Sequence, residues 1–361
     1  MIIGLVKEIV NHEYRTALLP VHIEALSGAG HTVLVQSGSG LGSGYTDHDY
    51  REHGAQIMTK AADIWHRAQM MVKVKQPVLR EIKYIRRDQI VITYFHFAAN
   101  PKLMRDIKQR KCIAIAYETI QTDNGSLPLL TPMSEIAGRM AVHEGAKFLE
   151  EPMKGRGILL AGVPGVAPAK VVVLGGGVVG SNAAKMAAGL GANVSILDIN
   201  LERLRYLDDV MPSNVITLMS NAENVRNEVR DADLLIGAVL IPGARTPRLV
   251  SRKLVSQMKK GAVIVDVSID QGGCIETSRP TTHEKPSFIV DGVVHYCVTN
   301  MPGAVAHTSS KALTNATFPF ILQIANKGWE RAAMENPAIK RGLNIVRGKV
   351  VHPNLPRSSQ R

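Results

Sequence analysis

The sequence predicts an α/β protein of two doubly wound domains with mainly parallel sheets, joined by long helices. Three observations carry that expectation. Short β-branched runs alternate with helical spacing along almost the whole chain, which places helices on both faces of parallel strands. The runs number about ten, too many for one comfortable open sheet. The chain has 361 residues, 45% of them apolar, enough to fill two cores of ordinary size.

Taken in order, strands are expected at 1–6, 32–36, 70–75, 89–95, 112–117, 171–174, 193–197, 215–218, 233–239 and 262–268. Helical spacing fills 100–110, 134–150 and 179–190. The segment "TPMSEIAGRMAVHEGAKFLEE" reads as a long helix with Ser134 as its N-cap, although no glutamate stands three residues later to complete a capping box. A glycine-proline loop, Gly155 to Pro168, follows, and the second α/β unit starts at Ala169. A last helical pattern, "SSKALTNATFPFILQIANKGW", contains Pro319, which is expected to kink it. That tail can return to the first domain. The expected division is therefore a discontinuous substrate domain, 1–128 plus 305–361, with an inserted dinucleotide domain, 129–304. The closing "HPNLPRSSQR" is polar, carries two prolines and is expected to be mobile.

Composition narrows the function. Lys plus Arg exceed Asp plus Glu by 43 to 31, a net charge of +12. Such a balance can serve polyanion binding, yet the basic residues fall in short groups such as Arg86-Arg87 and Lys108 to Lys111. A solvated basic surface is the simpler reading, and no nucleic-acid partner is expected. Aromatic residues make up only 4%, which disfavours a stacking platform for single strands. Cys112, Cys274 and Cys297 show neither a CxxC nor a zinc spacing, so no metal is expected and a reducing, cytoplasmic compartment fits best. Lys7 and Glu8 come too early for a signal peptide. The apolar stretch Gly157 to Gly180 holds Pro164, Pro168, Lys170 and many glycines, so it reads as loop, strand and turn and not as a membrane span.

The strongest local signal is "AKVVVLGGGVVGSNAAKMAAGLGANVSILDIN". An apolar run, Val171 to Leu174, leads into Gly175, Gly177 and Gly180 in the spacing G-x-G-x-x-G. A helical pattern and a second run, Val194 to Leu197, follow, and the second run ends at Asp198. The first glycine permits the tight turn, the second lets a pyrophosphate approach the backbone, and the third packs the helix on the strand. A helix N-terminus then receives the phosphate charge. The strand, helix, second strand and acidic residue stand in the order of a Rossmann-like unit. Asp198 can accept both ribose hydroxyl protons and would repel a 2′-phosphate, which favours NAD over NADP. Arg203 and Arg205, a little downstream, weigh the other way.

Ligands bind beyond the carboxyl ends of strands in such sheets, and four unusual polar residues fall there. Lys75 ends "MMVKVK", His96 follows "IVITYF", Glu118 follows "CIAIAY" and Asp270 follows "AVIVDVSI". Each has a bland alternative: a surface lysine, a satisfied core histidine, an ion-pair member, a turn cap. Four together suggest a shared cleft. Oxidation of an amine or alcohol carbon needs a hydride acceptor, an acid/base group and positive charge for any substrate carboxylate. NAD supplies the first. His96 suits the second, because an ordinary imidazole titrates near neutrality. Lys75 and Arg15, in "NHEYR", suit the third.

These motifs, with "KEIVNHEYR", "VKQP", "YETIQTDNGSLPLLTPMSEIAGR", "GVPGVAPAKVVVLGGGVVG", "IGAVLIPGA", "DVSIDQGGCIETSRPTTH" and "VTNMPGAV", resemble the alanine dehydrogenase family from Met1 to about Ala333. That family is related to the NAD-binding subunit of proton-translocating transhydrogenase. The resemblance implies reversible, NAD-dependent oxidative deamination of L-alanine to pyruvate and ammonia, in L-alanine catabolism or reductive amination. It implies Arg15 and Lys75 as the carboxylate clamp, His96 as acid/base at the substrate oxygen, and Asp270 assisting by positioning water or the amine. NAD contacts are implied for Ser134, Gly175, Gly177, Val178, Val179, Gly180, Asp198, Arg203 and Ser220. Further contacts are implied for Val239, Leu240, Val267, Ser268, Ile269, Asp270, Arg279, Val298, Thr299, Asn300 and Met301. A homohexamer is implied too. The aromatic run "YFHFAAN" is expected to lower the dielectric around His96 and exclude water.

Three positions depart from the family pattern: Val6 and Ala306 stand where proline is usual, and Gln76 where an acidic residue is usual. Gln76 is expected to leave Arg15 and Lys75 less neutralised and to tighten carboxylate binding slightly. Among alternatives, a transhydrogenase subunit would act with a membrane partner, and the intact Arg15, Lys75 and His96 argue against it. A lysine- or saccharopine-type dehydrogenase needs a second carboxylate clamp, which is not identifiable. A nucleotide-sensing, nucleic-acid-binding protein has only the net charge behind it.

Overall fold

The computed structural model describes residues 1–239 and 246–356. The chain forms two compact units, Met1–Met133 with Gly303–Arg361, and Ser134–Pro302. The strands in chain order are β1 (Ile2–Leu5), β2 (Thr32–Gln36), β3 (Gln56–Met58), β4 (Met70–Lys75), β5 (Ile90–Tyr94) and β6 (Ile113–Ala116). The inserted unit adds β7 (Lys170–Leu174), β8 (Asn193–Asp198), β9 (Val215–Met219), β10 (Leu234–Gly237), β11 (Val263–Asp266), β12 (Ser287–Val290) and β13 (Val293–Tyr296). The chain then returns to the first unit for β14 (Leu343–Val346) and β15 (Lys349–Val350).

In the first unit the order is β15-β14-β6-β5-β4-β1-β2-β3. All pairs are parallel except β6–β14 and β14–β15. The central strands read as continuous apolar runs because helices cover both faces; every residue of "IVITY" in β5 is buried. Gly4 in β1 has a steric reason: a Cβ there would stand 2.6 Å from Met71 Sδ and 2.7 Å from Ile64, so only glycine lets helix Ala61–Arg67 lie on the strand. Leu355 is 7% exposed and joins the core with Phe95, Phe97, Ile107 and Ile345. The polar tail is thus anchored at Leu355, against the expectation of mobility; residues 357–361 lie outside the described residues.

The second unit orders its strands β12-β13-β11-β10-β7-β8-β9, with only the β12–β13 pair antiparallel. Read outward from their first strands, both sheets share one winding: three strands to one side, then a reversal to the other. Two expectations need correction here. The helix expected from an N-cap at Ser134 runs Thr131–Phe148, because Pro132 suits a first helical turn, where it has no amide bond to lose. The hairpin β12–β13 was not expected, although its turn, Asp291-Gly292, has φ of 51° and 79°, the two positive values of a type I′ turn. Helix Ala306–Lys327 continues through Pro319 as one element. Among the described residues no helix is long and apolar enough to cross a membrane.

A buried histidine makes the first unit acid-sensitive. Leu19 N donates to His22 Nδ1 at 3.1 Å at the start of helix Pro20–Gly28, and the imidazole stacks on Phe318 with centroids 4.4 Å apart. Nδ1 must therefore be unprotonated, and burial pushes the group down to about 4. The unfolded chain takes up this proton near pH 6.5 and the folded one only near pH 4. Stability is complete above pH 6.5 and falls as the pH drops through that window, by up to about 3 kcal/mol. Urea midpoints at pH 7 and pH 4.5 check this: His22→Gln is expected to lose about 2 kcal/mol less than the parent on acidification, and equal losses would exclude His22 as the cause.

Candidate active site

In the first unit the strand order reverses between β1 and β4, the kind of point at which open parallel sheets bind ligands. Glu8, after β1, crosses it. Its Oε1 accepts from Val74 N at 2.7 Å, and its Oε2 lies 3.1 Å from Lys73 Nζ. Lys73 is fully buried and is also 3.1 Å from Glu81. Burial alone would lower the Lys73 pKa, but the two carboxylates raise it, so the ammonium stays charged. The β4–β5 register shifts between Val72 and Lys75, and Lys75 then pairs with Tyr94. Such irregularities re-aim side chains at strand ends.

Arg15 lies on the same loop as Glu8 and is 3% exposed. Its Nε and Nη2 meet Glu13 Oε1 and Oε2 at 2.7 and 2.5 Å, and its Nη1 lies 3.0 Å from Met133 Sδ. Burial would lower the guanidinium pKa, but the Glu13 bonds and charge outweigh it and raise the value. Glu13 thus pairs with Arg15 from within the same loop.

His96 follows β5 in a left-handed conformation, φ 51°, which costs a non-glycine residue about 1–2 kcal/mol. Its amide donates to Glu118 Oε1 at 2.6 Å, and Phe95 N donates to Oε2 at 3.3 Å. Bonds to a charged acceptor contribute about 1.5–3 kcal/mol each, enough to offset the strain. Phe95 and Phe97 turn into the core and stack on each other at 4.5 Å. The imidazole is exposed and lies over Tyr94, 5.9 Å away and nearly parallel. The expectation that the aromatic run desolvates His96 is therefore overturned: of that run only Tyr94 packs on it, while Phe95 and Phe97 are turned into the core. Tyr94 is fixed by its OH to Leu129 O, 2.5 Å, and burial raises its pKa, so it stays protonated. Lys75 thus ends β4, and His96 and Glu118 follow the adjacent strands β5 and β6.

In the second unit the glycine loop follows β7. A Cβ on Gly175 would stand 2.7 Å from Ala238 O and 3.2 Å from Val239 N, and one on Gly180 would stand 1.8 Å from Gly175 O. A Cβ on Gly177 would meet nothing within 4 Å. The first and third glycines are thus required by packing, and the second leaves open space at the N-terminus of helix Val178–Gly189. That is the cradle a pyrophosphate needs. Asp198, at the end of β8, accepts from Gly176 N at 2.7 Å and Asn200 N at 2.8 Å. Arg203 Nε donates to Gly176 O at 2.6 Å, and Arg205 pairs with Glu202, so both arginines have local work. Ser220 N donates to Asp198 O at 2.9 Å. Ser134 stands one turn before Gly138, whose absent Cβ lets its helix touch Val179 O.

Val267, Ser268, Ile269 and Asp270 form a 3-10 turn after β11, with Asp270 exposed. Asp266 holds this loop by accepting from Ser268, Cys274 and Ile275 amides at 3.1, 3.1 and 3.3 Å. Val298, Thr299, Asn300 and Met301 follow β13, with Asn300 at φ 61°. Arg279 lies over the Phe288 ring at 4.4 Å. Leu240 lies outside the described residues. The residues present fit a dinucleotide: open backbone at a helix N-terminus, and a carboxylate at the next strand end.

The alanine dehydrogenase/PNT N-terminal domain model matches residues 4–137 and the C-terminal domain model matches 141–353. An alanine dehydrogenase of Methanococcus maripaludis is 53% identical over 98% of this chain and 95% of its own. The chain belongs to the alanine dehydrogenase/PNT family. Its fold superposes on an L-alanine dehydrogenase with a TM-score of 0.95 at 52% identity, covering 98% and 97% of the two chains. A transhydrogenase from Sinorhizobium meliloti gives 0.83 at 26%, covering 98% and 100%.

Within this family member, sequence reasoning missed Glu13, Glu8, Lys73, Tyr94 and Asp266. A carboxylate two residues before Arg15 in "HEYR" and the aspartate closing "VIVD" were the available signals. The Arg15–Glu13 pair has a stability consequence. Removing one partner of a buried pair strands the other charge, and Glu13→Ala is expected to cost about 3–5 kcal/mol. A denaturant midpoint measures it; a cost under about 1 kcal/mol would mean the pair is solvated.

Proposed function

We propose that this chain catalyses the reversible conversion of L-alanine, NAD and water into pyruvate, ammonium, NADH and a proton. The reading is supported above all by the placement of Lys75 and His96 at the carboxyl ends of adjacent strands β4 and β5. It sits in a chain that stays about half identical, nearly end to end, to proteins named for that activity. The discontinuous unit serves as substrate domain and the inserted unit as dinucleotide domain. When bound, NAD accepts the hydride from the substrate carbon, and NADH returns it in the reductive direction.

The chain's own groups do the rest. Lys75 and Arg15 hold the substrate carboxylate, and Glu13 fixes the guanidinium of Arg15 through Nε and Nη2. His96 removes the proton from the attacking water and from the carbinolamine hydroxyl, and gives it back in reverse. Asp270 positions the water or amine. The dinucleotide is held by Ser134, the glycine turn, Asp198, Arg203, Ser220 and the loops after β10, β11 and β13. Asp198 selects NAD, because a 2′-phosphate would face its charge. A homohexamer in the cytoplasm completes the reading. A transhydrogenase role is less favoured, the likeness to one falling to 26% identity.

Purified protein with NADH, ammonium and pyruvate should lose nicotinamide absorbance only when ammonium is present; NADPH and glyoxylate runs rank cofactor and substrate. Absence of that ammonium-dependent loss, with NADH binding confirmed, would remove the activity. His96→Ala should lower turnover at least about 100-fold while NADH still binds; survival within a few-fold would move the acid/base role elsewhere. Asp198→Ala should weaken NADH about tenfold and relax discrimination against NADPH, and an unchanged preference would place ribose recognition on another group.

A further inference from the structure

We infer that Glu118 is a positioning residue for His96, acting through the main chain and not through the imidazole. The inference rests on the proposed acid/base role of His96. Glu118 sits on the 3-10 turn Tyr117–Thr119 after β6, beside β5. One carboxylate oxygen takes the His96 amide at 2.6 Å and the other the Phe95 amide at 3.3 Å. On the far side, the His96 carbonyl accepts from Ala99 N at 3.0 Å and Asn100 N at 3.2 Å. The His96 peptide is thus gripped on both flanks while its φ stands at 51°.

The grip has a side-chain consequence. Phe95 and Phe97 both go into the core, 0% and 2% exposed, and the imidazole between them is turned out onto the Tyr94 ring. Without an acceptor for two consecutive amides, the chain would relax toward an extended conformation at residue 96, and the imidazole would leave that ring. A carboxylate suits the task because it offers lone pairs at both oxygens and donates nothing. A glutamine accepts at one oxygen and sets an NH₂ against the other amide.

Glu118→Gln and Glu118→Ala test this beside His96→Ala in the full-length protein. Amide hydrogen exchange in the peptide covering residues 94–100 reads the grip directly, and steady-state kinetics with NADH, ammonium and pyruvate read its effect. Exchange there should speed up in both Glu118 variants. Turnover should fall about 10- to 100-fold in Glu118→Ala and less in Glu118→Gln, since small misplacements of a reacting group cost that much. The pyruvate KM should move less than about threefold, because the carboxylate clamp is intact. If Glu118→Ala unfolds on heating far below the parent, Glu118→Gln carries the test. Unchanged exchange, or a loss confined to KM, overturns the inference. So does turnover within about threefold of the parent when His96→Ala is inactive. If His96→Ala itself stays active, the acid/base reading fails, and the inference fails with it; the two failures are told apart by that control.

Discussion

Carboxylates clasping backbone amides at or just beyond the strand ends are the interaction on which the loops of each unit depend. A parallel strand gives up its ladder partners where the loop begins, and each amide released there needs another acceptor. Glu8 takes Val74, Glu118 takes Phe95 and His96, Asp198 takes Gly176 and Asn200, and Asp266 takes Ser268, Cys274 and Ile275. These loops carry the side chains assigned to chemistry or to the dinucleotide. A charged acceptor holds an amide roughly twice as strongly as a neutral one, so irregular backbone is fixed without regular structure. Burial raises the Asp266 pKa, and the amides of Ile275, Cys274 and Ser268 pull part of that shift back. The group is held between these opposing effects by the loop it organises.

Much of the architecture was legible in the sequence because it rests on local patterns. Apolar runs such as Val171–Leu174 are strands buried on both faces, and Gly175, Gly177 and Gly180 each have a distinct steric reason visible as a spacing. The resemblance to one family came from motifs spread over most of the chain, which no single loop could supply. The hairpin β12–β13 has a signal too in Asp291-Gly292, but its strands "SFIV" and "VVHY" are each only four residues long. The turn joining β14 to β15 was harder: Arg347 takes φ 50° there, where side chains are disfavoured. It is held by its amide on Cys112 O and its guanidinium on Asp88, contacts to residues far away in sequence.

The candidate site divides along the same line. Lys75, His96, Glu118 and Asp270 could be singled out because each charge interrupts or ends an apolar run. Their partners could not. Glu13 reaches Arg15 from two residues away, a relation with no periodicity behind it. Whether Phe95 and Phe97 shield His96 depends on a single backbone angle, and the composition of "YFHFAAN" points the wrong way.

The return of the chain to β14 sets the order in which the protein can be made. β14 pairs with β6 through Ile113, Ala114 and Ile115, yet the whole inserted unit, Ser134–Pro302, separates them in sequence. On a ribosome adding about 5–20 residues per second, the inserted unit emerges complete while β6 still has an open, apolar edge. Such an edge is a template for unwanted pairing. The nascent chain passes through a stage in which the inserted unit is finished and the first unit is not, and β14, made after the inserted unit, joins the sheet that β1 began.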